Sequence, residues 1–167
     1  MPRQDDIEMT PEEIRGFLRE GHTMTLATHG PRGYPHAVAM FYAIDDDLTV
    51  RLATYANSQK VKNIERNPKV CLLVETGSTY GELRGVMMEG DAVITIDLER
   101  TVATMVEANA ATGTPLPDVS MIPNEVKVKM AGKRVLVSVT PVRFVSWDHG
   151  KLPSGKTPEG LRRTLGS

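Results

Sequence analysis

The sequence has only one cysteine, Cys71, among its 167 residues. No disulfide can close within the chain, and no Cys-x-x-Cys pattern exists for zinc or thiol redox chemistry. Cys71 lies in the apolar run Val70-Cys71-Leu72-Leu73-Val74, which reads as a buried core thiol. Aromatic residues are scarce at 5%, so the single tryptophan, Trp147, stands out as an anchor. Neither sign of charge is in excess: 20 Lys and Arg against 21 Asp and Glu leave a net charge of −1. Nothing global therefore favours nucleic acid or a membrane surface, and any anion site has to come from local clustering. No apolar run approaches the ~18 residues of a membrane span. The start, Met1-Pro2-Arg3-Gln4-Asp5-Asp6, lacks an apolar leader segment, so the cytoplasm is the expected compartment. There is no G-x-S-x-G, no P-loop and no G-x-G-x-x-G, which argues against a serine hydrolase and a Rossmann nucleotide site. His22, His29, His36 and His149 have no metal-ligand spacing, and no metal is expected. The acid pairs Glu12-Glu13 and Asp45-Asp46-Asp47 fall at caps and turns, where a structural role suffices.

The elements that remain form a consistent pattern. Thr10-Pro11-Glu12-Glu13 opens a helix as a capping box with proline in its first turn. Ile14, Phe17 and Leu18 make its apolar stripe, and Gly21 ends it. Strands are predicted at 22–29, 34–44 and 48–54, joined by the turns Gly30-Pro31-Arg32-Gly33 and Asp45-Asp46-Asp47. Asn57 or Ser58 caps a short helix that runs to Arg66, and Pro68 blocks its continuation. Strand 70–75, loop 77–81 and the long strand 83–96 follow, with Gly85 and Gly90 marking bends or close backbone approach. Asp97 caps a helix to about Ala110, with Val102, Met105 and Val106 on one face, and 112–123 is a proline-rich loop. Segments 133–140 and 142–147 read as final strands, interrupted by Pro141. Residues 1–9 are expected to be a flexible N-terminus, 10–151 one domain, and 152–167 a polar C-terminal tail. The fold class is mainly β (α+β): six to seven antiparallel strands in a barrel, with peripheral helices.

Two clusters could carry chemistry. In Thr54-Tyr55-Ala56-Asn57-Ser58-Gln59-Lys60 a strand ends and a helix begins with Ser58 and Lys60 in its first turn. Unpaired amide protons and partial positive charge at that helix start, with a hydroxyl and an ammonium added, make a phosphate cradle. The alternative is an ordinary serine cap with a solvated lysine. The basic run Lys127 to Arg134 reads as extended, with Lys127 and Lys129 on one face. It suits either a solvated edge strand or a landing strip for a polyanionic tail. Trp147, at the end of Phe144-Val145-Ser146-Trp147, packs in a core or stacks on a flat ring.

The run Leu52-Ala53-Thr54, Ser58-Gln59-Lys60 and Asn63-Ile64-Glu65-Arg66-Asn67-Pro68-Lys69-Val70 resembles the pyridoxamine 5′-phosphate oxidase-like superfamily of split-barrel flavoproteins. It is most similar to the branch of deazaflavin (coenzyme F420)-dependent reductases. Gly33 to Met40, Glu82 to Gly90 and Pro141 to Trp147 match as well, so the likeness covers about 10–151. It implies a split barrel working as a homodimer, with the cofactor between protomers. The phosphate would meet Ser58, Gln59 and Lys60. Leu52, Ala53 and Thr54 would run along the ring, with His36, Ala37, Met40 and Phe41 lining its other side. Arg84, Gly85 and Trp147 would come from, or near, the neighbouring chain. The implied activity is oxidoreduction by hydride transfer between F420, or alternatively FMN, and a small organic acceptor, with no catalytic residue assigned. Tyr42 and Tyr80 are nearby hydroxyls. A non-catalytic flavin-, F420- or haem-binding protein is the alternative. Gln59 stands where vitamin B6 oxidases often carry arginine, Gly85 stands at a glutamine-like position, and their C-terminal arginines are not evident. These departures count against a B6 oxidase and leave FMN and F420 both open. The oligoglutamate tail of F420 needs positive charge, which Lys60, Lys62 and the Lys127 to Arg134 run would supply.

Overall fold

The computed structural model describes residues 6–110 and 115–152. Seven strands form one antiparallel sheet in the order β2-β1-β5-β6-β7-β4-β3. They are β1 (Thr23–His29), β2 (Pro35–Phe41), β3 (Ala43–Ile44), β4 (Val50–Tyr55), β5 (Lys69–Thr76), β6 (Arg84–Thr95) and β7 (Arg134–Asp148). Four α-helices accompany them among the described residues: α1 (Pro11–Glu20), α2 (Gln59–Arg66), α3 (Leu98–Asn109) and α4 (Asn124–Ala131). The predicted class, an antiparallel split barrel with helices around it, is the one observed.

The sheet curls because β2 and β3, its two edges, are consecutive in the chain and separated only by Tyr42. The single strand expected over 34–44 is therefore broken there. The Tyr42 amide still donates to His22 O, but its side chain turns inward, and its hydroxyl donates to Leu18 O at 2.5 Å. That phenol is buried, and burial raises its pKa well above the ordinary value. Alternation of side chains across the sheet then fills the inside. Met24 and Leu26, Leu72 and Val74, Val86 and Met88, Val50 and Leu52, and Val135, Val137 and Val139 form the core, with Phe17 and Leu18 of α1 beneath them. The α1 capping box is formed in full, Thr10 Oγ1 accepting from Glu13 N and Glu13 accepting from Thr10 N. Upstream of it, Ile7 and Met9 are also buried, and the Met9 amide donates to Ser146 Oγ. Residues 153–167, most of the expected tail, lie outside the described residues, as does the 111–114 part of the proline-rich loop.

Two further expectations are corrected. Pro141 does not divide the last strand: β7 is continuous, and the ladder to β6 shifts register between Glu89 and Gly90, where Gly90 faces Pro141. The bulge leaves Val142 unpaired beside the proline, and the pairing of β7 with β4 ends at Val139, before Pro141. On α3 the fully buried face is Thr101, Val102, Thr104 and Ala108, while Met105 and Val106 are half-buried. The two threonines go inside because their hydroxyls have partners: Thr101 Oγ1 donates to Asp97 O, and Thr104 Oγ1 accepts from Arg51.

Candidate cofactor site

The turn from β4 into α2 brings together the groups that the sequence singles out. Ser58 is the N-cap of α2, with extended backbone at φ −71° and ψ 153°, yet its side chain makes no capping bond. Its Oγ is buried without a hydrogen-bond partner. The other two long helices are closed differently: α1 by Thr10 with Glu12 and Glu13 in its first turn, α3 by Asp97 with Glu99. The first turn of α2 holds no acid. Lys60 Nζ donates to Thr54 Oγ1 at 2.9 Å and has no carboxylate partner among the described residues. Burial lowers its pKa. An uncapped helix start, an orphaned hydroxyl and a partly desolvated ammonium all favour a bound anion. The residues present thus fit a phosphate.

Beneath this turn lies a polar network that sequence reading missed. Asn63, one turn further along α2, is completely buried. Its Oδ1 accepts from Gln59 Nε2 at 2.8 Å and Arg66 Nη2 at 2.5 Å, and its Nδ2 donates to Thr28 Oγ1 at 2.9 Å. Thr28 Oγ1 donates in turn to His36 O at 3.3 Å, and Arg66 also reaches His29 O. α2 is thereby tied to the β1–β2 hairpin on one side and, through Lys60, to the end of β4 on the other. The signal available in the sequence was an asparagine at a position whose neighbours Val61 and Ile64 are both core residues.

Alternation decides what each strand offers. Leu52 and Thr54 point into the barrel and are buried, whereas Ala53 lies on the opposite face, half-buried. On β2, His36 and Met40 face inward and are half-buried, while Ala37 and Phe41 are exposed outward. The four β2 positions thus occupy two faces. His36 Nδ1 is buried without a hydrogen-bond partner and lies at a cavity of about 340 Å³ that Gln59, Arg32 and Tyr34 also line. That cavity adjoins the start of α2 through Gln59.

Arg84, Gly85 and Trp147 are not brought to this turn within the chain. Thr54 is opposite Val135 at one end of β7, and Gly85 is opposite Trp147 at the other. The intervening stretch is about 40 Å of strand at ~3.3 Å per residue. The indole covers Gly85 so closely that a β-carbon there would sit 2.2 Å from Trp147 Cζ2. Arg84 Nε lies 3.2 Å from Asp148 Oδ2, misaligned for a hydrogen bond, and its guanidinium lies 5.0 Å from the centre of the Phe17 ring.

The basic run is corrected in part. Residues 124–131 are helical, so Lys127 and Lys129 do not share a strand face. Lys127 is buried, and its Nζ donates to Glu99 Oε2 at 2.6 Å, clamping α4 to α3. The end of the run does reach the site. Ala56 N donates to Lys133 O at 3.1 Å, and the Arg134 guanidinium stacks 4.1 Å from the centre of the Tyr55 ring. Lys62 is exposed on α2.

Cys71 is a further correction, being on the outer face of the sheet and only half-buried. It shares that face with Ala27, Leu73, Met87 and Val145, and lines an open cavity of about 570 Å³ with His29, Lys69 and Glu89. Burial and then the Glu89 carboxylate raise its pKa, which makes the thiol a poor nucleophile at neutral pH.

Comparison with known proteins agrees with this architecture. A search of curated proteins gave no match. Among solved structures, a conserved hypothetical protein, Rv2991 from Mycobacterium tuberculosis, is 39% identical, with a TM-score of 0.77 over 92% of this chain and 94% of that one. A structure described as an F420 reductase is 26% identical, with a TM-score of 0.60 over 81% of this chain and 98% of that one. HutZ, the heme storage protein from Vibrio cholerae, shares the fold at 16% identity, with a TM-score of 0.59 over 81% of this chain and 94% of that one. The family model for pyridoxamine 5′-phosphate oxidase matches residues 10–148, from the α1 cap to the last residue of β7, and the chain belongs to that family.

Proposed function

We propose that this chain is a homodimeric oxidoreductase that binds a flavin-type cofactor, F420 in preference to FMN, with its phosphate on Ser58, Gln59 and Lys60. The observation that carries this reading is the open start of α2, where Ser58 Oγ has no partner and Lys60 has no carboxylate. When bound, the cofactor supplies hydride transfer to a small organic acceptor. The chain's own work is to bind and orient. Ser58, the α2 amides and Lys60 take the phosphate, Ala53 and the edge strand β2 flank the ring, and Lys133 and Arg134 offer charge to an acidic tail. The resemblance to an F420 reductase over nearly all of that protein's length supports the choice of deazaflavin.

The outer sheet face supports dimerisation. Ala27, Leu73, Met87 and Val145 give it an apolar centre, and Phe41 at its edge is 53% exposed. Such a contiguous patch suits a self-complementary contact. A two-fold partner would also supply Arg84 and Trp147, which lie far along the strand from this chain's own α2.

The test is equilibrium binding by fluorescence quenching. Lys60→Ala is expected to weaken F420 by at least about tenfold, because charge-assisted phosphate bonds contribute ~1.5–3 kcal/mol. An unchanged dissociation constant overturns the assignment.

A further inference from the structure

The most extensively hydrogen-bonded side chain at the site is not a group expected to touch the cofactor. Asn63 is fully buried and makes three side-chain hydrogen bonds, to Gln59, Arg66 and Thr28. A buried amide that makes three hydrogen bonds to three different side chains fixes a geometry, because each partner would otherwise be left unsatisfied. The partners are informative. Gln59 is the middle residue of the proposed phosphate turn. Thr28, itself buried, passes the connection to the backbone carbonyl of His36 on β2. Arg66 closes the far side by reaching both Asn63 and His29 O. The hydroxyl of Thr28 is used in both directions, accepting from Asn63 and donating to His36 O, so its orientation depends on Asn63 being an amide donor.

We propose that Asn63 is a positioning residue of the phosphate site: through Gln59 and Thr28 it locks the first turn of α2 against the β1–β2 hairpin. The inference rests on the reading of α2 as the phosphate site. The lock joins the strands next to the two sheet edges, with Asn63 holding β1 and Lys60 holding β4 through Thr54. Without it, Ser58 and Lys60 would remain present but not held where a phosphate needs them. A supporting shell of this kind decides whether a site is tight or loose.

The experiment compares two ligand pairs that each differ by one phosphate: FMN with riboflavin, and the 5′-phosphate of a ribityl deazaflavin with its parent alcohol. Asn63→Asp keeps the shape but removes the donor to Thr28, and Arg66 remains beside the new carboxylate. Thr28→Val removes the hydroxyl at nearly equal volume, and Thr28→Ser retains it. Asn63→Asp and Thr28→Val are expected to weaken the phosphorylated member of each pair about tenfold. The phosphate-free member should stay within about twofold, and Thr28→Ser should restore binding. Equal weakening of both members would mean that Asn63 merely supports the fold, and no weakening of either would also overturn the proposal. Should Asn63→Asp fail to fold, Thr28→Val against Thr28→Ser decides alone. Lys60→Ala separates the two levels. If it does not discriminate within a pair, or if no member binds the wild-type protein, the phosphate site itself fails; if it discriminates and the network variants do not, only the role of Asn63 falls.

Discussion

Gly85 can be required by a cofactor or by Trp147, and one substitution separates the two. A β-carbon at Gly85 would lie 2.2 Å from Trp147 Cζ2, 2.5 Å from Cε2 and 2.9 Å from Cη2. Carbon atoms in contact prefer about 3.5–4.0 Å. The indole would therefore have to retreat by about 1.5 Å, a whole ring moving as one body. Overpacking of this kind typically costs about 1–3 kcal/mol. Trp147 is half-buried and can move outward, so Gly85→Ala is expected to destabilise by about 2 kcal/mol and lower Tm by about 4–8 °C. Because Trp147 is the only tryptophan, its emission reports the same displacement directly, and a shift should accompany the loss of Tm without any cofactor present. A double-mutant cycle completes the argument: in a Trp147→Ala background, Gly85→Ala should cost almost nothing. If Gly85→Ala in the apo protein leaves Tm and emission unchanged, the glycine is not there for the indole.

The remaining predictions test other contacts. Glu99→Ala, which strands the buried Lys127 ammonium, should cost more in thermal denaturation than Lys127→Met, which removes the charge itself, and Lys127→Met should leave F420 affinity unchanged. Glu13 is held below the usual carboxylate range chiefly by its hydrogen bond to Lys151 and then by the Thr10 amide. Its stabilising effect is full above the unfolded value of about 4.3 and is lost as pH falls through the lower folded value. The Tm difference between wild type and Glu13→Gln should therefore be present at pH 6 and shrink as pH falls below about 4.3. Cys71 should react slowly with a thiol reagent at pH 7 and faster only as pH rises beyond the ordinary thiol value of about 8.5. Glu89→Gln should speed the reaction, and reactivity should rise on dilution if a second copy covers that face.

Much of this fold was legible because its signals are local. Thr10 with Glu13 announces α1, Gly30 to Gly33 announces the β1–β2 hairpin, and Ser58 to Lys60 announces the start of α2. The misreadings share a cause, which is that alternation within a short window does not say which partner an element will meet. Val126-Lys127-Val128-Lys129 alternates like a strand, but α3 presents Glu99 where Lys127 can pair, and tertiary contact sets the helix. Pro141 reads as a strand end until Gly90 is known to face it across a bulge.

The same reasoning explains why half of the site was visible and half was not. Ser58 and Lys60 can be read because a hydroxyl and an ammonium at a helix start have a chemical meaning by themselves. Asn63 has meaning only through Thr28, Gln59 and Arg66; its spacing to Gln59 and Arg66 is that of one helix face, but the link to Thr28 on β1 appears only in the fold. Residues that touch a ligand are chosen for their own chemistry, whereas residues that hold them are chosen for each other. A sequence read position by position finds the first kind; the second emerges once the strand register puts Thr28 beside α2 and opposite His36.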